Sequence, residues 1–207
     1  MLKVWGRKNS ANVQKAMWAI GELKLAHERV DIAGAFGQNR EPAYLSLNPN
    51  GLVPTLQDGD LVLWESNTIV RYLASLHGKG TLEPADPKAR ARASQWMDWQ
   101  LSVLGPAIHA TFWGLVRTPP ESRDLAAIAA SKTKTTAAIA ILDAHLAKTA
   151  YVAGDAFSMG DIPVGVFGYR FQALVPERPP LPHFERWFAA ISGRPAFVDH
   201  ILSMPLD

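Results

Sequence analysis

Two adjacent residues in the stretch NGLVPTLQDGDLVLWESNTIVRYL, Asn50 to Leu73, carry the most pointed chemistry of the chain. Glu65 suits an ammonium group. Ser66 offers a hydroxyl and, if it opens a helix, main-chain N–H groups without helical partners, which suit a carboxylate. An ammonium beside a carboxylate is the head group of a free amino acid. Upstream, Pro54 follows Asn50-Gly51, and a cis bond there turns the N–H and C=O of Val53 outward. A peptide main chain can pair with that edge as an added strand. Together these residues describe a site for a small peptide with a free amino-acid end. Taken singly, Ser66 reads equally as a helix cap and Pro54 as a turn residue.

The elements that must position these residues follow from periodicity and punctuation. Thr55–Gln57 and Leu61–Trp64 are short apolar runs joined by Asp58-Gly59, a pair that favours a tight hairpin. Pro54 opens the first of them, where a missing N–H costs least. A helix follows from Ser66, with Ile69, Leu73 and Leu76 on one face. Ahead of the hairpin, Leu2–Trp5 reads as a strand, a helix spans about 12–24, a second strand spans 27–32, and a short helix lies within 41–47. The order β-α-β-α-β-β-α predicts a mixed α/β layer.

The segment 79–87 carries Gly80, Pro84 and Pro87 and reads as a linker. Beyond it no strand pattern stands out. Asp86 caps a helix with Pro87 at its first position, running to about Leu115. Thr118-Pro119-Pro120-Glu121 has capping-box spacing and predicts a helix from there to about Lys148. Ser158-Met159-Gly160-Asp161 repeats the box with Asp in third place. Pro182 opens another helical run, Gly193 stops it, and Arg194-Pro195-Ala196 restarts a last short helix.

NGLVPTL followed by ESNTIVRYL resembles the glutathione-binding half of the cytosolic glutathione transferases, and the likeness runs on through the Ser158–Asp161 box and the terminal GRPAF. WGRKNSANVQK, LWESNTIVRYLA and GLVRTPPESRD resemble a bacterial branch of that family. The resemblance implies an α+β, two-domain fold. A thioredoxin-like N-terminal domain would occupy 1–78 and an all-α C-terminal domain 88–207. It implies that Val53 pairs with the cysteinyl backbone of glutathione beside Pro54, that Glu65 and Ser66 hold the γ-glutamyl end, and that Gln38, Asn39 and Arg40 reach the glycyl carboxylate. It also implies a homodimer.

The same resemblance puts the glutathione sulfur at the turn before the first helix, where free N–H dipoles favour a thiolate. The turn reads Arg7-Lys8-Asn9-Ser10-Ala11-Asn12, without the Tyr or Cys that many members use, and Asn9 falls where others carry serine. Ser10, Asn12 and Asn9 are therefore the candidate catalytic donors, although Ser10 and Asn12 are also ordinary caps. The electrophile would meet His109, Phe112, Trp113 and Arg117, late in the first helix of the second domain. The aromatics there suit a core as well as a pocket, and Arg117 suits either a helix end or an anionic substrate.

Composition limits the reaction. The chain has 207 residues, 48% apolar and 19% charged, enough for a sizeable core. With no cysteine, a mixed disulfide on the protein is impossible. The reaction implied is attack of glutathione thiolate on a small electrophile, in a detoxification role. Disulfide reduction by two external glutathiones and a non-catalytic glutathione-binding module are the alternatives. A net charge of +2 gives no argument for nucleic acid. The six histidines lack ligand spacing, so no metal is assigned. The polar start is unlike a signal peptide, no membrane span is assigned, and a cytoplasmic location is expected.

Overall fold

The computed structural model describes residues 1–206. The chain folds as two compact units. One holds Met1–Glu83 together with Pro195–Pro205; the other holds Pro84–Arg194 and Leu206.

The first unit is built on four strands, β1 Leu2–Trp5, β2 His27–Val30, β3 Thr55–Asp58 and β4 Leu61–Trp64, in the sheet order β2-β1-β3-β4. β1 and β2 run parallel, joined by α1, Ala11–Glu22, as parallel neighbours require. β3 is antiparallel to β1 and pairs with β4 through the Asp58-Gly59 hairpin, where Gly59 has φ +61°. The short α2 spans Pro42–Leu45, and α3 spans Ser66–His77 and packs on α1. Val4, Val13, Ile20, Leu56, Ile69 and Leu73 are buried between them. Each such side chain contributes about 1.5–3 kcal/mol on leaving water.

The grouping of Pro195–Pro205 with the first unit has a packing cause. Phe197, from the short α9 Pro195–Phe197, sets its ring edge-on to Trp18 of α1 at 4.8 Å. A Cβ at Gly21 would stand 2.8 Å from Ala196 Cβ. A glycine inside a helix costs about 0.5–1 kcal/mol, and here it admits that contact.

The second unit is helical. α4, Pro87–Trp99, begins at Asp86, whose carboxylate accepts the Lys88 and Ala89 N–H groups. A π-helical turn, Gln100–Leu104, leads into α5, Gly105–Phe112. Pro106 cannot donate to the preceding turn, and the wider π turn absorbs that interruption. A second π turn, Trp113–Arg117, ends the run. α6, Leu125–Leu146, starts later than the Thr118–Glu121 spacing predicts. Pro119 precedes Pro120, which disfavours the helical region there, and its ψ is 145°. Asp124 caps α6 instead, accepting the Ala127 N–H at 2.9 Å. Arg123 turns back to donate to the Thr118 and Leu115 carbonyls.

By length and composition α6 is apolar enough to cross a bilayer. It packs against α5 and α8, and its Ser131 hydroxyl accepts the Thr111 N–H at 3.0 Å. α7, Asp161–Leu174, and α8, Pro182–Ser192, complete the unit. Asp161 is wholly buried. Its carboxylate accepts the Val152 and Ser158 N–H groups, the Ser158 hydroxyl and the Trp187 indole N–H, at 2.8–3.1 Å. Burial pushes its carboxyl up to about 6, against the pull of those four donors.

Candidate functional site

The geometry around Glu65 and Ser66 starts with a backbone exception. Glu65 is the residue before α3 and has φ +71°, a conformation that costs a non-glycine residue about 1–3 kcal/mol. Its side chain does not cap the helix and lies exposed. Ser66, 4% exposed, stands at the first position of α3 and donates its hydroxyl to Asn12 Oδ1 at 3.3 Å. Asn12 lies at the start of α1, so this bond sets the N-termini of two 12-residue helices side by side. Each presents first-turn N–H groups that lack an intrahelical acceptor, and the positive end of its dipole.

The Val53–Pro54 bond is cis. Val53 is half-buried, and Pro54 is buried at the entry to β3. The loop before them is held from both sides. The Tyr44 hydroxyl donates to the Leu52 carbonyl at 2.6 Å and meets the Thr55 hydroxyl at 2.8 Å. Asn48 donates to the same Leu52 carbonyl at 2.8 Å and accepts the Asn50 N–H. Burial raises the Tyr44 phenol above its ordinary value, which keeps it a neutral donor. Asn39 donates to the Gly51 carbonyl at 2.7 Å, and Arg40 to the Asn50 carbonyl at 3.2 Å. Gly51 has φ +61°, and a Cβ there would lie 2.8 Å from the Asn39 carbonyl oxygen. Asn39 and Arg40 therefore share one loop cluster with Val53. Gln38 has φ +64°, stays exposed, and lines a small hollow of about 90 Å³ with Trp5 and Tyr44.

At the turn before α1, Ser10 is 9% exposed and occupies the N-cap position with an extended backbone, but its hydroxyl makes no capping bond. Asn9 is half-buried, and Asn12 is exposed and engaged with Ser66. Of the three, Ser10 has a hydroxyl at the N-cap position that the helix itself does not use.

The candidates on the helical unit divide. Phe112 is buried, with the Arg170 guanidinium 3.8 Å above its ring, so it belongs to the packed interior. His109 and Trp113 stack at 5.7 Å with ring planes 15° apart, and Trp113 is 55% exposed. Arg117, one turn on, is exposed and 6.0 Å from the Phe112 ring. His109, Trp113 and Arg117 thus form one surface stripe along the helix. No cluster of three or more His, Asp or Glu side chains able to hold a metal occurs among the described residues.

Tyr44 and Asn48 carry the loop geometry and were not marked by the motif. Asn48 sits two residues before it, in LNPNGLVP, and only that adjacency signals it.

These two units, with a thioredoxin-like sheet carrying a cis-proline edge and an acidic-Ser pair, define a transferase fold, and the comparisons bear on it directly. Residues 1–75 match the family model described as glutathione S-transferase, N-terminal domain, and residues 126–190 the one described as glutathione S-transferase, C-terminal domain. The chain is 44% identical to glutathione S-transferase GstB of Escherichia coli over 209 residues, covering all of both proteins. It is 32% identical to glutathione S-transferase 3 of Zea mays, over 99% of this chain and 95% of that one. The structure of a theta class glutathione S-transferase from Xanthomonas axonopodis pv. citri, solved with glutathione bound, superposes with a TM-score of 0.95 at 47% identity, covering 100% of this chain and 99% of that one. The chain belongs to the glutathione S-transferase family. Within it, the chain is a glutathione S-transferase of a bacterial, GstB-like branch.

Proposed function

We propose that this enzyme conjugates the thiolate of glutathione to small electrophiles, halogenated or otherwise activated carbons, in a detoxification role. Ser10 carries the proposal: a hydroxyl at the N-terminus of α1, on a residue 9% exposed, that the helix does not spend on its own cap. There it donates to the sulfur, and the helix N–H groups lower the thiol pKa further. Asn9 is a second donor at the same turn. Asn12, held by Ser66, joins the thiolate end to the head-group end.

In this reading Glu65 takes the γ-glutamyl ammonium, and Ser66 with the α3 N-terminus takes the carboxylate. Val53 pairs with the cysteinyl main chain beside Pro54. Asn39, Arg40 and Gln38 serve the glycyl end. The glutathione bound in the Xanthomonas relative supports this ligand. The thiol proton leaves to solvent, the thiolate attacks carbon, the carbon–sulfur bond forms, and the halide departs with its bonding pair. The protein contributes positioning and a nucleophile ionised near neutral pH. His109, Trp113 and Arg117 are the surface we assign to the electrophile, with Phe112 as their support. We place the enzyme in the cytoplasm as a homodimer; exposed Leu52, Leu61 and Trp64 on the first unit support an assembly.

Turnover of an aryl halide with glutathione, together with retention on immobilised glutathione, tests the reading. Retention without turnover of any halide leaves a binding module. Turnover of small disulfides alone leaves a glutathione-dependent reductase.

A further inference from the structure

The exposed stripe His109–Trp113–Arg117 has a buried counterpart on the other side of its helix. Thr111 of α5 is fully buried, and Ser131 of α6 is 5% exposed. The Ser131 hydroxyl donates to the Ala107 carbonyl and accepts the Thr111 N–H at 3.0 Å. Residues 107 and 111 are the i and i+4 pair that an α-helix joins with its own hydrogen bond. One oxygen from a neighbouring helix therefore holds both ends of a single rung of α5. The Thr111 hydroxyl donates to the same oxygen at 2.9 Å. With one proton given and two accepted, the Ser131 hydroxyl has its full set of partners.

A side chain entering the hydrogen-bond ladder is one of the few causes of a bend in a helix. Here the rung brackets His109, and the π turn Trp113–Arg117 begins just after it. The rest of the segment is fastened on the same buried side. The Thr135 hydroxyl donates to the Ser131 main-chain carbonyl at 2.7 Å and fixes the local course of α6. Ile128, one turn before Ser131, meets the π turn at Gly114, where a Cβ would lie 2.6 Å from its Cγ1 and Cδ1. The Thr118 hydroxyl donates to the Trp113 carbonyl at 3.1 Å, and Arg123 donates to the Leu115 carbonyl. These contacts on the α6 side fix where the stacked His109 and Trp113 rings stand on the exposed side.

We propose that Ser131 is a positioning residue for the electrophile. Its hydroxyl, bridging Ala107 and Thr111, sets the angle between His109 and the Trp113–Arg117 turn, and so the shape of substituent accepted on the glutathione sulfur. The proposal rests on reading the stripe as the electrophile surface. Ser131 itself touches no substrate and acts through Trp113. Without its hydroxyl, the Ala107 carbonyl and the Thr111 N–H are left to each other. The rung then closes on itself, and the turn carrying Trp113 rotates away from its place over His109.

Calorimetry with glutathione and with its S-dinitrophenyl conjugate tests the proposal. The ratio of the two affinities isolates what the aryl group contributes. Trp113→Ala should lower that ratio by at least about threefold, the scale of one aromatic contact. Ser131→Ala should lower it by at least about threefold too, with the affinity for glutathione itself kept within about twofold. Thr111→Val, which removes one bond to the Ser131 oxygen, should lower it by about twofold. In a Trp113→Ala background, Ser131→Ala should change the ratio by less than about 1.5-fold, because its route to the ligand is gone. Thermal unfolding checks that the variants are folded; Thr111→Val keeps the test open if Ser131→Ala is not. An unchanged ratio in Ser131→Ala and Thr111→Val would overturn the proposal and leave the stripe as the electrophile surface. So would an equal loss from Ser131→Ala with and without Trp113, which marks a general structural effect. A ratio that Trp113→Ala does not lower would overturn the surface itself, and the proposal with it.

Discussion

The loop and hairpin leading to Glu65 and the surface stripe His109–Arg117 are made in opposite ways. In the first, side chains hold main-chain atoms in place. Tyr44 and Asn48 grip the Leu52 carbonyl, Asn39 and Arg40 reach the Asn50 and Gly51 carbonyls, and Glu65 is held at φ +71°. In the second, the helix passes through a π turn and offers side chains: a stacked His–Trp pair and an arginine, largely in water. A ligand read by main-chain geometry demands one shape. A surface read by exposed side chains tolerates change, and substrate range within a family varies at such surfaces.

That contrast gives a graded set of expectations. The largest concerns a fixed region of the helical unit, the Ser158–Asp161 turn, against which the exposed stripe can be measured. The folded Asp161 pKa is raised to about 6 from 3.8. The stabilising preference for the protonated group is therefore fully present below pH 3.8 and lost as pH rises through about 6. Unfolding free energy should fall by up to about 3 kcal/mol across that window at one pKa unit per 1.36 kcal/mol. Asp161→Asn should remove this slope. Denaturant titrations from pH 4 to 7 read it out; an equal slope in the variant would assign the effect elsewhere.

Next are Glu65 and Ser66, the residues proposed for the head group. Ser66→Ala and Glu65→Gln should each weaken glutathione binding by about 1–3 kcal/mol, the usual loss for a charged hydrogen-bond partner. Calorimetry with unchanged affinity in both would remove them from the site. Glu65→Gly then separates strain from recognition. Glycine adopts positive φ freely, so the variant should be at least as stable as wild type, by up to about 1 kcal/mol, while losing as much glutathione affinity as Glu65→Gln. Lower stability would mean that the Glu65 side chain supports the fold rather than a ligand.

The stripe should give the smallest effects on folding. Arg117→Ala and Trp113→Ala should change stability by no more than about 0.5 kcal/mol. Arg117→Ala should slow turnover of a halo-carboxylate more than that of a neutral halide. Equal losses on the two substrates would reduce Arg117 to a helix-end cation.

The same contrast explains what the sequence revealed. Elements set by punctuation were legible: Asp58-Gly59 for the hairpin, Asp86-Pro87 for α4, and Gly193 for the end of α8. The capping-box spacing at Thr118 misled because Pro120 constrains Pro119, and Asp124 starts α6 instead. Packing of Pro195–Pro205 with the first unit depends on Trp18 meeting Phe197, a contact about 180 positions apart that no local pattern encodes. Around the candidate site, Val53, Pro54, Glu65 and Ser66 lie within one short motif. Tyr44 and Asn48 act only once their side chains meet a main chain several residues on. The positive φ of Glu65 is invisible in its type, since glutamate has no preference for that region.

In the proposed reaction the α1 turn holds glutathione as a thiolate through Ser10. Ultraviolet thiolate absorbance of bound glutathione against pH tests it most directly. A free thiol titrates near pH 8.5. Wild type should titrate at least about one unit lower, and Ser10→Ala should move most of the way back with glutathione affinity largely kept. Bound glutathione that titrates like the free thiol, or a Ser10→Ala curve that overlays wild type, would contradict the account.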